Sequence, residues 1–209
     1  MENSIKVLIL NGSPHEKGTT RHAIDEVASV LEGHGIAVKI HTLGGIEAKG
    51  CVACGYCKEH KGCAIDDIVN ELSRELEEAD GVILASPVYY AGPNGAFLAL
   101  LNRLFYSSKT DKSMKVGASI VAARRGGCTS SFDVLNKYFT ISGMPIASSY
   151  YWNGVHGKSY DEASEDLEGL ETMHSLGENM AFLLKAIRDA KEKYGTPKRP
   201  KKVYTNFIR

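Results

Sequence analysis

Short apolar runs alternate with longer stretches of helical spacing along most of the 209-residue chain. Apolar runs bounded by turn-forming residues are typical of strands, and apolar positions three or four residues apart are typical of helices. The strands are predicted at residues 5–10, 35–43, 81–86, 115–123 and 145–152. The helices are predicted around residues 19–33, 67–79, 94–107, 129–142 and 163–194. This alternation predicts a parallel sheet covered by helices on both faces.

The second predicted strand differs from the others because its apolar side chains, Ile36, Val38 and Ile40, fall on one face. That pattern suits the edge of a sheet, whereas the first, third and fourth strands are continuously apolar, as buried central strands are. We therefore predict one α/β domain over residues 1–194 with the strand order 2-1-3-4-5. In such a sheet ligands bind beyond the carboxyl ends of the strands, so the loops after strands one, three and four are the candidate site.

Composition narrows the class of protein. Lys plus Arg and Asp plus Glu each total 25, so the formal net charge is zero and no overall field favours nucleic acid or an anionic membrane. The apolar run 5–10 is too short to span a membrane or to be the core of a signal peptide, which makes a soluble cytoplasmic protein the expectation. The basic tail, residues 195–209, contains two prolines and is predicted to be extended.

The loop after the first strand, in "LNGSPHEKGTT", is a candidate phosphate site. Gly12 and Gly18 allow a ligand to approach the backbone closely, and Ser13, Thr19 and Thr20 add hydroxyl groups where a helix begins. The loop has neither the G-x-G-x-x-G pattern of dinucleotide sites nor the G-K-[ST] ending of a P-loop, which disfavours nucleoside triphosphates and Rossmann-bound NAD. An ordinary capped helix is the alternative interpretation.

The loop after the third strand, residues 87–92, begins with Pro87, contains two adjacent aromatic residues and is followed by Pro93. Tyr89 and Tyr90 provide an aromatic wall, and the backbone amides beside them suit a planar heterocycle such as a flavin ring. A hydrophobic turn packed against another subunit is the alternative, and both interpretations are compatible.

The loop after the fourth strand combines charge with glycine. Arg124 and Arg125 offer positive charge for a phosphate or a nicotinamide cofactor, and Gly126 and Gly127 permit a tight backbone. Cys128 is predicted to begin the next helix.

Four cysteines lie within thirteen residues of a cysteine-rich loop, residues 44–66, in the pattern C-x2-C-x2-C-x5-C: Cys51, Cys54, Cys57 and Cys63. Three cysteines at two-residue intervals suit a cubane cluster, because each thiolate in a curled loop can reach a different iron. Zinc sites more often pair two separated cysteine motifs, and free thiols or a labile disulfide also remain open. The following pair, Asp66 and Asp67, is interpreted as a helix cap rather than as metal ligands.

Together, these motifs resemble the NADPH-dependent FMN reductase family, and within it the iron-sulfur flavoproteins. The resemblance implies a flavodoxin-like three-layer sandwich with a five-stranded parallel sheet that binds FMN, and it extends from about residue 5 to residue 155. It implies that Ser13, Gly18, Thr19 and Thr20 bind the phosphate, that Pro87, Val88, Tyr89, Tyr90 and Ala91 border the isoalloxazine, and that Arg124, Gly126 and Gly127 lie alongside it. It also implies that the four clustered cysteines can hold a 4Fe-4S cluster.

The activity implied is that of an FMN-dependent oxidoreductase. NAD(P)H would reduce bound FMN, which would pass electrons to a quinone, a nitro compound, free flavin or the iron-sulfur centre. An electron carrier acting with a ferredoxin-like protein is a second hypothesis, and a non-enzymatic redox or metal sensor is a third. The resemblance also implies a homodimer or homotetramer.

Overall fold

The computed structural model describes residues 4–198, 200–201, 203–205 and 207. Strands and helices alternate along this part of the chain, as the hydrophobic pattern predicts. In chain order the elements are β1 (Lys6–Asn11), α1 (Thr19–Gly33), β2 (Ala37–Thr42), α2 (Tyr56–Glu59), α3 (Ile68–Glu78), β3 (Gly81–Tyr89), β4 (Gly92–Pro93), α4 (Gly95–Ser107), β5 (Val116–Ala123), α5 (Cys128–Ser142), β6 (Gly154–His156), α6 (Tyr160–Ala163) and α7 (Leu167–Tyr194).

The main sheet is parallel, with the strand order β2-β1-β3-β5-β6. Strand β4 lies off this path and pairs antiparallel with the end of β3. With that two-residue strand set aside, the order is the predicted 2-1-3-4-5. The edge position of β2 is also confirmed, and Val38 and Ile40 pack against the core from one face of it.

Two apolar clusters cover the two faces of the sheet and make the three-layer sandwich. Alternate residues of β1 enter opposite layers: Val7 and Ile9 pack with α1 and α7, and Leu8 and Leu10 pack with the layer of α3, α4 and α5. Because both faces of β1 are covered, its residues from Val7 onward are buried.

Side-chain caps fix where several helices start. The Asp67 carboxylate accepts a hydrogen bond from the Val69 backbone N–H at 3.1 Å and caps α3, as the sequence predicts. Asn94 caps α4 in the same way through the Ala96 N–H at 2.9 Å. These two caps matter for function because both residues also contact the candidate sites described below.

The predicted fifth strand, residues 145–152, is wrong in its position. This segment contacts β5 through one parallel bridge at Ile146, leaves the sheet, and rejoins it as β6 at Gly154–His156. The buried Asn153 makes the return contact, since its carbonyl accepts from Val121 N at 3.0 Å and its amide donates to Ser119 O at 3.0 Å. The intervening aromatic residues therefore project from the sheet and are exposed.

Three other boundaries differ from the sequence prediction. The last helix is divided into α6 and α7, because Asp166 starts a new helix by accepting from Gly169 N at 3.1 Å. Strand β3 continues through Tyr89, so residues 87–89 are strand rather than loop. The short helix α2 lies inside the cysteine-rich loop, where no helix was predicted.

The basic tail, predicted at residues 195–209, falls partly outside the described residues at 199, 202, 206 and 208–209. The described tail residues form neither helix nor strand. In the part of the chain that the structure describes, no helix has the length and apolar character needed to cross a membrane.

Candidate functional site

Three loops meet at the carboxyl edge of the parallel sheet, where the sequence places the candidate site. The loop after β1 joins the sheet through Gly12, whose N–H donates to Ala85 O at 2.7 Å. The start of α4 contacts the same loop, because Asn94 Nδ2 donates to Gly12 O at 2.9 Å. The loops after β1 and β3 are thereby held together by buried hydrogen bonds.

The candidate phosphate loop is a tight turn leading into α1. Ser13 N donates to Asn11 Oδ1 at 2.9 Å, and His15 N donates to Ser13 Oγ at 3.2 Å, so the Ser13 side chain helps to form the turn. Gly18 is the extended N-cap of α1, and no side chain there caps the first turn. The backbone N–H groups at the start of α1 are therefore oriented as an anion site requires.

The two threonines of this loop have different surroundings. Thr19 Oγ1 donates to Ser159 O at 3.1 Å, which ties α1 to the segment before α6. Thr20 is buried in the first turn of α1. Both remain predicted phosphate contacts, but the Thr19 hydroxyl proton is already engaged.

The backbone around the phosphate loop is packed so closely that two positions require glycine. A Cβ on Gly12 would overlap the ring of Phe97, and a Cβ on Gly44 would overlap the Gly12 carbonyl oxygen. Beside this loop, Asn11 Nδ2 is buried and has no hydrogen-bond partner among the described residues. A narrow cradle with a spare buried donor fits a small anionic ligand group.

The candidate ring-binding segment is a tight hairpin rather than an open loop. Strands β3 and β4 pair through Val88 with Pro93 and through Tyr89 with Gly92, so two residues form the turn. These residues, Tyr90 and Ala91, have φ angles of 50° and 58°, which is unusual for residues with a side chain. The turn leaves the Tyr90 side chain fully exposed and Tyr89 about half exposed.

Gly127 brings the loop after β5 against this hairpin. Its φ is 95°, and an added Cβ would lie 2.7 Å from Val88 Cγ1 and 3.0 Å from Ala91 Cα. Ser130 Oγ donates to Ala91 O at 2.6 Å and fastens α5 to the same turn. Sequence reasoning found Gly127 but missed Ser130, which no motif distinguishes. The two segments predicted to border the flavin are therefore in direct contact.

The remaining residues of the β5 loop are open to solvent. Arg124, Arg125 and Gly126 are exposed, and an added Cβ on Gly126 would meet nothing within 4 Å. The arginines are available to an anionic group at this edge of the sheet.

Cys128, which begins α5 as predicted, lies beside the edge strand β6. Its Sγ is 3.9 Å from His156 Nε2, and His156 Nδ1 is 3.5 Å from an Asp166 oxygen. Burial raises the pKa of the Cys128 thiol, and the negative charge of Asp166 raises it further. The thiol is therefore protonated near neutral pH, whereas a nucleophilic cysteine reacts as the thiolate.

The four clustered cysteines surround a single cavity of about 490 Å³. Left-handed backbone at Ala53 (φ 54°) and Gly55 (φ 78°) curls the loop between the first three cysteines. Asn70 of α3 holds the fourth: Cys63 N donates to Asn70 Oδ1 at 2.8 Å, and Asn70 Nδ2 donates to Cys63 O at 3.1 Å. All five cysteines of the chain are free thiols.

The thiols do not form a ready-made site for one small ion. Within the described ranges, no group of three or more His, Cys, Asp or Glu side chains could hold a single metal ion. A cubane places its thiolates on different irons and needs a larger space between them. All four clustered cysteines line one shared cavity.

Arg103 is the residue of this cavity that sequence reasoning missed. It lies on α4, is 2% exposed, and lines the same cavity as the cysteines. Its Nη1 is 3.6 Å from Cys63 Sγ, and its Nη2 hydrogen-bonds the Asp67 carboxylate. The available signal was a single arginine within the apolar helix sequence GAFLALLNRLFYS.

The parallel sheet, the glycine-lined turn before α1 and the aromatic hairpin after β3 define a flavodoxin-like protein of the FMN oxidoreductase class. The chain belongs to the NADPH-dependent FMN reductase family, whose model matches residues 5–158.

One curated relative agrees with this assignment, and two solved structures agree with the fold. The chain is 30% identical over 196 residues to an iron-sulfur flavoprotein of Methanocaldococcus jannaschii. The alignment covers 88% of this chain and 100% of the relative. The fold of this chain is similar to that of RosB in complex with 8-demethyl-8-formylriboflavin-5'-phosphate. The TM-score is 0.70 at 15% identity, and the match covers 97% of this chain and 92% of RosB. An archaeal flavodoxin has a TM-score of 0.59 at 14% identity, covering 87% of this chain and 99% of the flavodoxin.

Proposed function

We propose that this protein uses bound FMN to transfer electrons from NAD(P)H to an acceptor, and that Cys51, Cys54, Cys57 and Cys63 hold a 4Fe-4S cluster. The main support for a flavin site is the packing of Gly127 against the β3–β4 hairpin, beside the phosphate loop. Quinones, nitro compounds, free flavin and the iron-sulfur centre are the acceptor classes we propose.

The phosphate loop supplies the binding contacts for FMN. The backbone N–H groups from Gly18 to Thr20 lie at the start of α1, where the helix dipole favours a phosphate. Asn11 Nδ2, which has no partner among the described residues, is an additional donor beside this loop. These neutral donors hold a dianionic group without a P-loop lysine.

The hairpin and the β5 loop border the flavin ring in this proposal. Residues 87–91 present backbone and tyrosine side chains on one side, and Gly127 keeps the neighbouring loop close enough to share the contact. When bound, FMN would accept electrons from NAD(P)H and supply the redox chemistry, and the protein would bind and orient it. Arg124 and Arg125, which are exposed, are the candidate contacts for a nicotinamide cofactor.

The cysteine cavity supports the cluster because all four thiols line it and a buried arginine adjoins it. Thiolates carry negative charge, and the Arg103 guanidinium compensates part of it. The similarity to an iron-sulfur flavoprotein supports the same proposal.

Anaerobic purification with iron and sulfide analysis tests the cluster, and steady-state oxidation of NADPH with a quinone tests the reductase. We expect about four irons per chain, broad absorption beneath the flavin bands, and quinone-dependent turnover. Cys57→Ser should lose the iron, whereas Cys128→Ser, outside the cavity, should retain it. Flavin without iron would leave a plain FMN reductase.

A second candidate function is an electron carrier that exchanges single electrons with a ferredoxin-like protein. Cys51 and Cys54 are exposed, so a cluster in this loop would lie close to the surface that a protein partner reaches. Rapid reduction by ferredoxin together with NADPH turnover no faster than background would favour the carrier.

We also propose a homodimer or homotetramer. The exposed aromatic residues of the hairpin and of the segment before β6 would be covered by another copy: Tyr89, Tyr90, Tyr150, Tyr151 and Trp152. Light scattering after size-exclusion chromatography measures the state, and a monomeric mass would contradict the proposal.

A further inference from the structure

Arg103 is a buried positive charge in an otherwise apolar part of α4. Its neighbours Leu100, Leu101 and Leu104 are buried in the core cluster on that face of the sheet, and Arg103 itself is 2% exposed. Removing a guanidinium from water is costly unless anionic partners and hydrogen bonds replace the lost hydration. A cation at this position therefore requires anionic partners and hydrogen-bond acceptors around it.

Asp67 supplies only one of these interactions. Its carboxylate pairs with Nη2, and the same side chain caps α3, so Asp67 holds the guanidinium at a fixed place. Nη1, however, contacts the sulfur of Cys63, and Nε is buried without a partner among the described residues.

The second observation is the shared cavity. The Arg103 side chain lines the space around which all four clustered cysteines are arranged. An ordinary structural ion pair would need only Asp67, and it would not place a second N–H on a candidate ligand sulfur. This is the geometry of a residue that donates a hydrogen bond to a metal ligand without itself binding the metal.

We propose that Arg103 is a positioning residue for the iron-sulfur cluster, donating a hydrogen bond to the Cys63 sulfur and placing a positive charge beside the thiolates. This inference rests on the proposed cluster. Reduction adds negative charge to a cluster, and a nearby cation with an N–H···S hydrogen bond stabilises that charge. Arg103 therefore makes the cluster easier to reduce and keeps Cys63 in place as a ligand.

The test is an EPR-monitored redox titration with iron analysis on anaerobically purified wild type, Arg103→Lys and the double variant Arg103→Gln/Asp67→Asn. The double variant removes both charges, so no unpaired charge is left in the core, and asparagine retains the cap on α3. Arg74→Lys is the matched control, since Arg74 is an exposed arginine on α3.

We expect the double variant to make cluster reduction at least tenfold less favourable, a downward shift of about 59 mV for one electron, at unchanged FMN content. Arg103→Lys should shift less because it keeps the charge, and Arg74→Lys should match the wild type. Loss of iron from the double variant with FMN retained would also support the positioning role.

Two results would overturn the inference, and they differ from each other. If the double variant has the iron content and the reduction potential of the wild type, Arg103 has no role at the cluster, although the cluster is present. Wild-type protein that takes up no iron under reconstitution would overturn the cluster itself, and the role of Arg103 with it.

Discussion

At the scale of single residues, the candidate flavin site depends on positions where a side chain will not fit. Gly127 has a left-handed backbone and lies against Val88 and Ala91. Gly126, one residue earlier, has open space where its Cβ would be. The sequence shows both as adjacent glycines and does not distinguish them, because the difference arises from the hairpin residues Val88 and Ala91, which are distant in the chain.

Gly127→Ala is expected to weaken FMN binding and to destabilise the fold. The new methyl group would press on Val88 and Ala91, and alanine disfavours the left-handed backbone, so a destabilisation of about 1–3 kcal/mol is expected. FMN affinity, measured by quenching of flavin fluorescence, should fall about tenfold or more as the hairpin shifts.

Gly126→Ala is the matched control for the change in stability and should unfold like the wild type, because no heavy atom of the protein lies within 4 Å of its added Cβ. A wild-type FMN affinity in Gly127→Ala would mean that the contact between the β5 loop and the hairpin has no part in holding the flavin.

Arg103 shows a different limit of sequence reasoning at the same scale. The spacing of the four cysteines indicates a possible cluster, because ligands close in sequence must lie close in space. Arg103 is forty residues from Cys63, and only the packing of α4 beneath the cysteine-rich loop brings them together. Local motifs identify ligands, whereas the groups that orient them depend on tertiary structure.

At the scale of elements, the sequence predicts the sheet order correctly and misplaces the last strand. Continuous apolar runs identify β1, β3 and β5, because strands covered on both faces are apolar throughout. The segment 145–152 has the apolar and aromatic residues of a strand, but Tyr150, Tyr151 and Trp152 are exposed, and β6 follows them. The buried Asn153, which replaces part of the ladder with side-chain hydrogen bonds, breaks the pattern.

The attachment of the edge strand β2 to α3 gives a prediction about pH. Lys39 Nζ donates to Glu75 Oε1 at 2.7 Å, and His41 Nε2 lies 2.6 Å from Glu75 Oε2. Burial alone would raise the pKa of Glu75, but these hydrogen bonds outweigh it and hold the pKa below its ordinary value. The Glu75 carboxylate therefore stabilises the fold above the ordinary carboxyl pKa, and this contribution is lost as the pH falls through the lowered value.

Glu75→Gln is expected to lower the melting temperature by roughly 2–5 °C at pH 7, with the difference from wild type shrinking below about pH 4. Thermal unfolding followed by circular dichroism across that range measures it. Glu78→Gln is the control on the same helix, because Glu78 and its partner Lys6 are both largely exposed and such pairs contribute little. A Glu75→Gln effect that stays constant with pH would exclude the carboxylate as its cause.

At the scale of the whole molecule, α4 connects the two candidate redox sites. Its cap Asn94 holds the phosphate loop through Gly12 O, and Arg103 near its other end holds the cysteine cavity through Cys63. The order of the sheet explains why both sites lie near this helix, since the connections leaving β1, β2, β3 and β5 at the carboxyl edge supply their loops.

FMN is expected to stabilise the entire fold through the phosphate loop. A ligand that binds only the folded state at one hundred times its Kd stabilises it by about 2.7 kcal/mol, which corresponds to a rise of about 5–10 °C in melting temperature for a chain of this size. Riboflavin has the same ring without the phosphate, so at the same concentration it should raise the melting temperature much less. Thermal unfolding of deflavinated protein with each ligand measures the difference.

A pair of threonines with equal burial, Thr20 and Thr172, separates phosphate binding from general stability. Thr20 lies in the first turn of α1 beside the candidate phosphate site, whereas Thr172 lies in α7 and donates to Glu168 O at 2.8 Å. Each change to valine removes one buried hydroxyl, but only Thr20→Val should reduce the stabilisation by FMN, and neither should alter the smaller stabilisation by riboflavin. If FMN and riboflavin stabilise the wild type equally, the phosphate is not bound at the start of α1, and the ring contacts alone hold the flavin.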